Sequence, residues 1–81
     1  MESNVIKFTS AVEDFEITGI AEGFDGRRVT FINWTDYSLS LKAEDGRSVA
    51  VNRIYGQDII VESRKNVTLI YDNDEQRWII I

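Results

Sequence analysis

The chain has 81 residues, nine basic against fourteen acidic side chains for a formal charge of −5, and no cysteine, histidine or proline. That length allows one domain, the missing cysteine and histidine remove disulfide frameworks, thiolate zinc sites and the usual general base, and the acidic balance is the wrong sign for a domain whose partner is a phosphate backbone. The longest apolar run, Trp78-Ile79-Ile80-Ile81, is far short of a membrane span and Met1-Glu2-Ser3-Asn4 is unlike a signal peptide, so the expectation is a soluble chain without export signal, cofactor, nucleic-acid partner or membrane insertion.

No segment repeats apolar residues at helical spacing, whereas alternation with a period of two recurs throughout, which predicts an all-β fold. Residues 1–14 carry the weakest strand signal and are read as an N-terminal arm or first strand, with a single β-domain over 15–81. Phe15 and Ile17 alternate with Glu16 and Thr18, and the strand breaks at Gly19. Val29, Phe31 and Asn33 alternate with Thr30, Ile32 and Trp34, a strand with apolar groups on both faces and so expected to be covered on both. Leu39 and Leu41 alternate with Ser38, Ser40 and Lys42, as a half-buried strand does. Val49 and Val51 alternate with Ser48, Ala50 and Asn52, predicting a further strand. Asp58-Ile59-Ile60-Val61 is a short apolar run, Val67, Leu69 and Tyr71 alternate with Thr68, Ile70 and Asp72, and Arg77 to Ile81 closes the chain. Turn residues separate the runs, and Asp25-Gly26 and Asp45-Gly46 are hairpin signals, because glycine takes a positive φ freely and aspartate bonds its own backbone. About seven strands at roughly 8–12-residue spacing predict a small antiparallel β-sandwich or barrel-like module. Surface scaling gives such a chain roughly 5,000 Å² of folded surface, a size at which domains lacking disulfides and metals often gain stability by association.

The residues assign no catalytic, cofactor or metal site. Glu13, Asp14, Glu16, Asp25, Glu44 and Asp45 supply carboxylates, but nothing in their spacing singles out a pair for glycoside hydrolysis. Asp72-Asn73-Asp74-Glu75 lacks the glycine and the distant glutamate of an EF-hand loop and reads as a solvated hairpin tip. Asn33-Trp34-Thr35 and Asn66-Val67-Thr68 match the glycosylation sequon and are read as chance occurrences. Nine aromatic residues carry more information. Phe15, Phe31, Tyr71 and Trp78 stand at alternating strand positions suited to a core, while Trp34, Tyr37 and Tyr55 sit at turns, where exposed rings can stack on pyranose faces.

The order of short motifs adds a resemblance. Ile17-Thr18-Gly19-Ile20, then Asp25-Gly26-Arg27 leading into Val29-Thr30-Phe31-Ile32-Asn33, then Leu39-Ser40-Leu41 with Glu44, resembles a β-module of tailed-bacteriophage virion proteins. Ser48-Val49-Ala50-Val51-Asn52-Arg53-Ile54 is similar to that module's Ser-x-x-x-Asn-Arg-[Ile/Phe] segment, and Val67-Thr68-Leu69-Ile70-Tyr71-Asp72 with Arg77-Trp78 to its closing hairpin. The likeness spans residues 15–81 and no shaft, collagen-like repeat or coiled coil precedes it, which leaves open a complete small protein or the tip of a longer fibre. It implies a homotrimer located in the virion, in contact with other virion proteins: a non-enzymatic tip of a tail fibre or baseplate appendage, or a head fibre or capsid decoration, contributing to host adsorption. The alternative expectation is a module binding host-surface glycan through Trp34, Tyr37 or Tyr55. Asn33, Leu39, Leu41, Glu44, Ser48, Asn52, Arg53, Tyr71, Asp72 and Trp78 are then fold-motif residues with a structural role. Asn33 and Asn52 would satisfy backbone groups at strand ends, Trp78 would pair with Tyr71 across the hairpin, and Arg53 would either pair with Glu44 or remain a surface charge.

Overall fold

The computed structural model describes residues 3–81, so the arm or strand expected over 1–14 is described from Ser3 onward. The fold is all-β, with seven strands: β1 (Ser3–Phe8), β2 (Phe15–Ile17), β3 (Arg28–Asn33), β4 (Leu39–Leu41), β5 (Ile59–Val61), β6 (Lys65–Asp72) and β7 (Arg77–Ile80). They form a four-stranded sheet in the order β1-β3-β6-β7 and a three-stranded sheet in the order β2-β4-β5. The two sheets pack as a sandwich-like pair of layers, with an accessible surface of 5016 Å².

Three ladders are antiparallel, while β1–β3 and β2–β4 are parallel. The parallel pairs follow from chain order. From β1 to β4 the chain alternates between the sheets, so strands adjacent in one sheet are joined through the other, which returns the second strand in the same direction. The sandwich is therefore mixed rather than wholly antiparallel. The first strand lies in what the sequence leaves as its weakest region, because Val5 and Ile6 are adjacent and break the alternation. Its pairing to β3 supplies the order, with Arg27 reinforcing it through a bond from Nη2 to Asn4 Oδ1 at 2.8 Å.

The core lies between the sheets: Val29, Phe31, Val67, Leu69, Tyr71 and Trp78 on one side, Leu39, Leu41 and Val61 on the other, with Ile54 from the connecting loop. Leu39, Leu41, Ile54, Leu69 and Trp78 are fully buried. Period-two alternation thus places the inward residues of most strands where the sequence predicts. The outer side of β3 is different. Thr30 and Ile32 are half-buried and the described residues form no third layer over them, measuring only 17 Å through their thinnest direction.

The strand expected around Val49–Val51 is instead a 3-10 turn over Ala50–Asn52, closed by Asn52 N–H to Val49 O and Arg53 N–H to Ala50 O. Strand β4, the only neighbour this segment could join through the Asp45-Gly46 turn, already has β2 on one edge and β5 on the other. The segment's polar groups turn elsewhere: Asn52 O accepts from Ile20 N–H, Val51 O from the Tyr71 hydroxyl, and Ser48 Oγ lies 2.8 Å from Thr18 Oγ1. Gly26 does take a positive φ of 87°, while at the second Asp-Gly the left-handed residue is Glu44, at 51°.

Gly23 lies flat against the Tyr71 ring, and a methyl group there would collide with it. The ring cannot give way, because its hydroxyl is bonded to Val51 O at 2.9 Å and its edge packs on Trp78. A methyl group on Gly46 would meet nothing within 4 Å beyond its chain neighbours. Gly23→Ala is therefore expected to cost about 2–3 kcal/mol and lower Tm by roughly 10 °C, whereas Gly46→Ala leaves Tm unchanged or raises it slightly. Thermal unfolding followed by circular dichroism checks both, and equal melting of the two variants would contradict the packing.

Candidate functional site

The turn from β3 to β4 is built around two buried polar side chains, Asn33 and Thr35, 0% and 3% exposed. The Asn33 amide nitrogen donates to Tyr37 O at 2.7 Å and Val61 O at 2.9 Å, and its Oδ1 accepts from Thr35 Oγ1 at 2.7 Å and Thr35 N–H at 3.2 Å. Thr35 Oγ1 in turn accepts from Tyr37 N–H at 3.1 Å. From the β5–β6 turn, Ser63 Oγ and Arg64 Nη1 both donate to Thr35 O, and Arg64 N–H donates to Asn33 O at 2.7 Å. With its polar groups satisfied internally, this knot holds the turn without help from the side chain between Asn33 and Thr35. The sequon at Asn33 has this structural meaning: its amide is buried and committed to two carbonyls.

Trp34 is therefore left with its ring facing outward, 49% exposed, while its backbone N–H donates to Phe8 O at 2.9 Å. Beside it runs a groove of about 220 Å³ lined by Thr9, Ser10, Ala11, Trp34, Thr35, Asp36 and Arg64. Two cations lie over the indole, Arg64 with its guanidinium carbon 5.0 Å from the ring centroid and Lys7 with Nζ at 5.5 Å. Arg64 is held there by Thr35 O and by Asp36 Oδ1 at 3.1 Å, and it carries a φ of 68°, the left-handed region that non-glycine residues seldom occupy.

Of the three aromatic residues singled out for stacking, only Trp34 lines the groove. Tyr37 stands on the same turn, 38% exposed. Tyr55 is 52% exposed but belongs to the other end of the molecule. Its N–H bonds Trp78 O, level with Tyr71, whereas Trp34 follows the residue paired with Lys65, and six residues of β6 span about 20 Å. Arg64, Lys7, Thr9 and Ser10 are the residues the sequence does not flag. Ser63-Arg64-Lys65-Asn66 reads only as a turn, and the segment carrying Thr9 and Ser10 reaches the site through the parallel pairing of β1.

The residues of the motif resemblance are placed as follows. Leu39 and Leu41 are core, and Tyr71 and Trp78 are directly opposed, with ring centroids 5.2 Å apart and edge to face. Asp72 Oδ1 accepts from Asp74 N–H at 2.9 Å and closes the β6–β7 turn. Arg53 does not reach Glu44: its Nε donates to Ser48 O at 2.9 Å, and Glu44 pairs with Arg77, Nε to Oε1 at 2.9 Å. The register explains the exchange, because Arg77 opens β7 beside the loop that holds Glu44. Asn52 departs from the expectation: it closes a 3-10 turn rather than a strand, its side chain makes no hydrogen bond with the described residues, and it contributes its backbone carbonyl, bonded by Ile20, to the packing of the loop.

Of the carboxylates singled out, Asp14, Glu16, Asp25, Glu44 and Asp45 are engaged in backbone hydrogen bonds and ion pairs in separate places. Asp14 and Asp25 accept from the backbone of Ser38 and Asn73, and Arg47 bonds both Glu16 and Asp45. The Arg47 guanidinium and N–H lower the Asp45 carboxyl to about 2. Among the described residues no three acidic side chains converge as a metal site would require, and no helix is long and apolar enough to cross a membrane. Comparison with protein-family models, curated proteins and solved structures returns no match.

Proposed function

We propose that the chain is a non-enzymatic structural module of a tailed-phage virion that works by associating with copies of itself, as a homotrimer, at the tip of a tail fibre or baseplate appendage or on the head, alongside other virion proteins. The observation that carries the reading is the outer face of the four-stranded sheet. The ladders place Val5, Thr30 and Thr68 in one row, which Ile81 extends through its N–H to Thr68 O; Ile70 and Ile79 lie in the next row and Ile32 on the other side. Val5 and Ile81 are 66% and 60% exposed. Thr30 and Thr68 bond each other's hydroxyls at 2.8 Å, so the centre of the face presents methyl groups with their polar atoms satisfied. The exposed Arg28 lies beside Ile70 in one flanking row and Lys7 at the end of the other, and the central row of Val5, Thr30 and Thr68 carries no charge. Such a face packs against copies of itself without burying an unpaired charge, which is what a symmetric assembly requires. The motif order shared with phage virion modules supports the virion setting.

The test is the mass in solution and the place of the chain in the particle. Size-exclusion chromatography with light scattering at micromolar concentration is expected to give three times the chain mass, and Val5→Lys with Ile81→Lys, both exposed in the single chain, to give one chain mass with an unchanged circular dichroism spectrum. Mass spectrometry of purified phage particles is expected to detect the chain. A wild-type monomer sinks the assembly, and absence from particles sinks the virion role.

A second reading, a module for host-surface glycan, is favoured by one observation: the half-exposed Trp34 ring on a fixed turn beside an open polar groove.

A further inference from the structure

Resting on the glycan-binding reading, we infer that the groove beside Trp34 takes a single acidic pyranose, a sugar ring bearing a carboxylate, with Lys7 and Arg64 selecting the charge. The groove, at about 220 Å³, is smaller than sites for drug-sized ligands and suits one sugar ring. Trp34 forms one wall, and the part of its half-exposed ring left open beside Lys7 and Arg64 meets the C–H face of a pyranose. Thr9 and Ser10 are both exposed, and their hydroxyls form no side-chain hydrogen bond within the described chain, so they are free to meet sugar hydroxyls. Asp36 uses Oδ1 for Arg64 and has Oδ2 available as an acceptor.

The charge is what narrows the class. In a chain of net −5, two of the nine basic side chains stand over one indole, with Asp36 the only carboxylate lining the groove, so the site is locally positive by one charge. Lys7 forms no ion pair with a described carboxylate, and its ammonium lies on the solvent side of β1. Arg64, by contrast, is fixed by Thr35 and Asp36 in a left-handed turn, so its guanidinium is oriented before a ligand arrives. A carboxylate on a stacked sugar would lie between a positioned guanidinium and an ammonium with no ion-pair partner among the described residues, and the backing by Asn33 and Thr35 keeps Trp34 in place. The site lies beyond the Lys7–Ile32–Asn66 row, at the rim of the outer sheet face, where a bound sugar stays accessible in an assembly.

The experiment titrates the full chain with D-glucuronate, N-acetylneuraminate and uncharged D-glucose, followed by tryptophan fluorescence and by backbone and indole NMR shifts. An acidic sugar is expected to bind with millimolar Kd and to shift Trp34, Arg64 and residues 9–11, with glucose roughly fivefold weaker or worse. Lys7→Met should weaken the acid roughly fivefold without altering glucose, and raised salt should do the same. Trp34→Ala should remove binding of both, and Tyr55→Ser should change neither. Equal binding of glucose and the acids, or indifference to Lys7→Met, overturns the charge selection while leaving glycan binding intact. No shift at Trp34 with any of the three sugars overturns both the site and the reading beneath it.

Discussion

Trp78→Ala is expected to remove a large share of the stability of this domain, more than any other single substitution in its core. A domain of this length has a total stability of about 4–12 kcal/mol, and deleting a fully buried tryptophan costs about 3–5 kcal/mol. At this position the loss is at the upper end. Trp78 is 0% exposed and makes an edge-to-face contact with Tyr71. Its backbone is bridged to Ile54, and its indole N–H donates to Ile20 O at 2.9 Å. One side chain thus joins β7, the loop carrying Ile54 and the segment after β2. Removing it leaves a cavity bordered by the four-stranded sheet and the loops, together with a carbonyl stripped of its donor. Trp78→Phe keeps much of the ring and loses the N–H, and should cost about 1–3 kcal/mol. Urea unfolding followed by tyrosine fluorescence and far-ultraviolet circular dichroism checks the order. If the alanine variant unfolds within 1 kcal/mol of the wild type, the loops are not held by this residue.

The second large effect is expected at Asn33. Asn33→Ala takes the donor from Tyr37 O and Val61 O and the acceptor from the Thr35 N–H and hydroxyl, in a place water does not reach. Each buried polar group left unpaired costs about 1–3 kcal/mol, so a loss of about 3–4 kcal/mol is expected after partial relaxation. Thr35→Val keeps the shape and loses fewer bonds, for about 1–2 kcal/mol. Because the two side chains share one network, the double variant should be less destabilised than the sum, by at least about 0.5 kcal/mol. A denaturant series on the three variants measures this coupling, and strict additivity would mean that the two residues act separately. The Asn33 variant should also release Trp34 from its fixed orientation, visible as narrowing and shift of the indole N–H resonance.

Within strands the sequence is legible because burial alternates with the pleat. Phe15, Ile17, Val29, Phe31, Leu39, Leu41, Leu69, Tyr71 and Trp78 all face inward, wholly or in part, as their alternation predicts. The same signal misleads at Val49 and Val51, which alternate but find no vacant strand edge, and it is silent at β1, whose adjacent Val5 and Ile6 serve the outer and inner faces of one sheet. The candidate site is half legible. Trp34 stands out as an aromatic residue at a turn, but its partners come from β1, from the segment after it and from the β5–β6 turn, and nothing in a local pattern joins Lys7 or Ser10 to Trp34.

The sequence by itself determined the all-β class, the inward side of most strands and the absence of cysteine and histidine chemistry, since composition and period-two burial are local properties of the chain. The tertiary structure alone decided the parallel pairings, the exchange of Glu44 from Arg53 to Arg77, the groove at Trp34 and the uncovered outer face of the larger sheet. These depend on which backbone edges meet. A strand edge presents the same N–H and C=O groups whatever its side chains are, so the choice of partner is written only in the packing of distant segments.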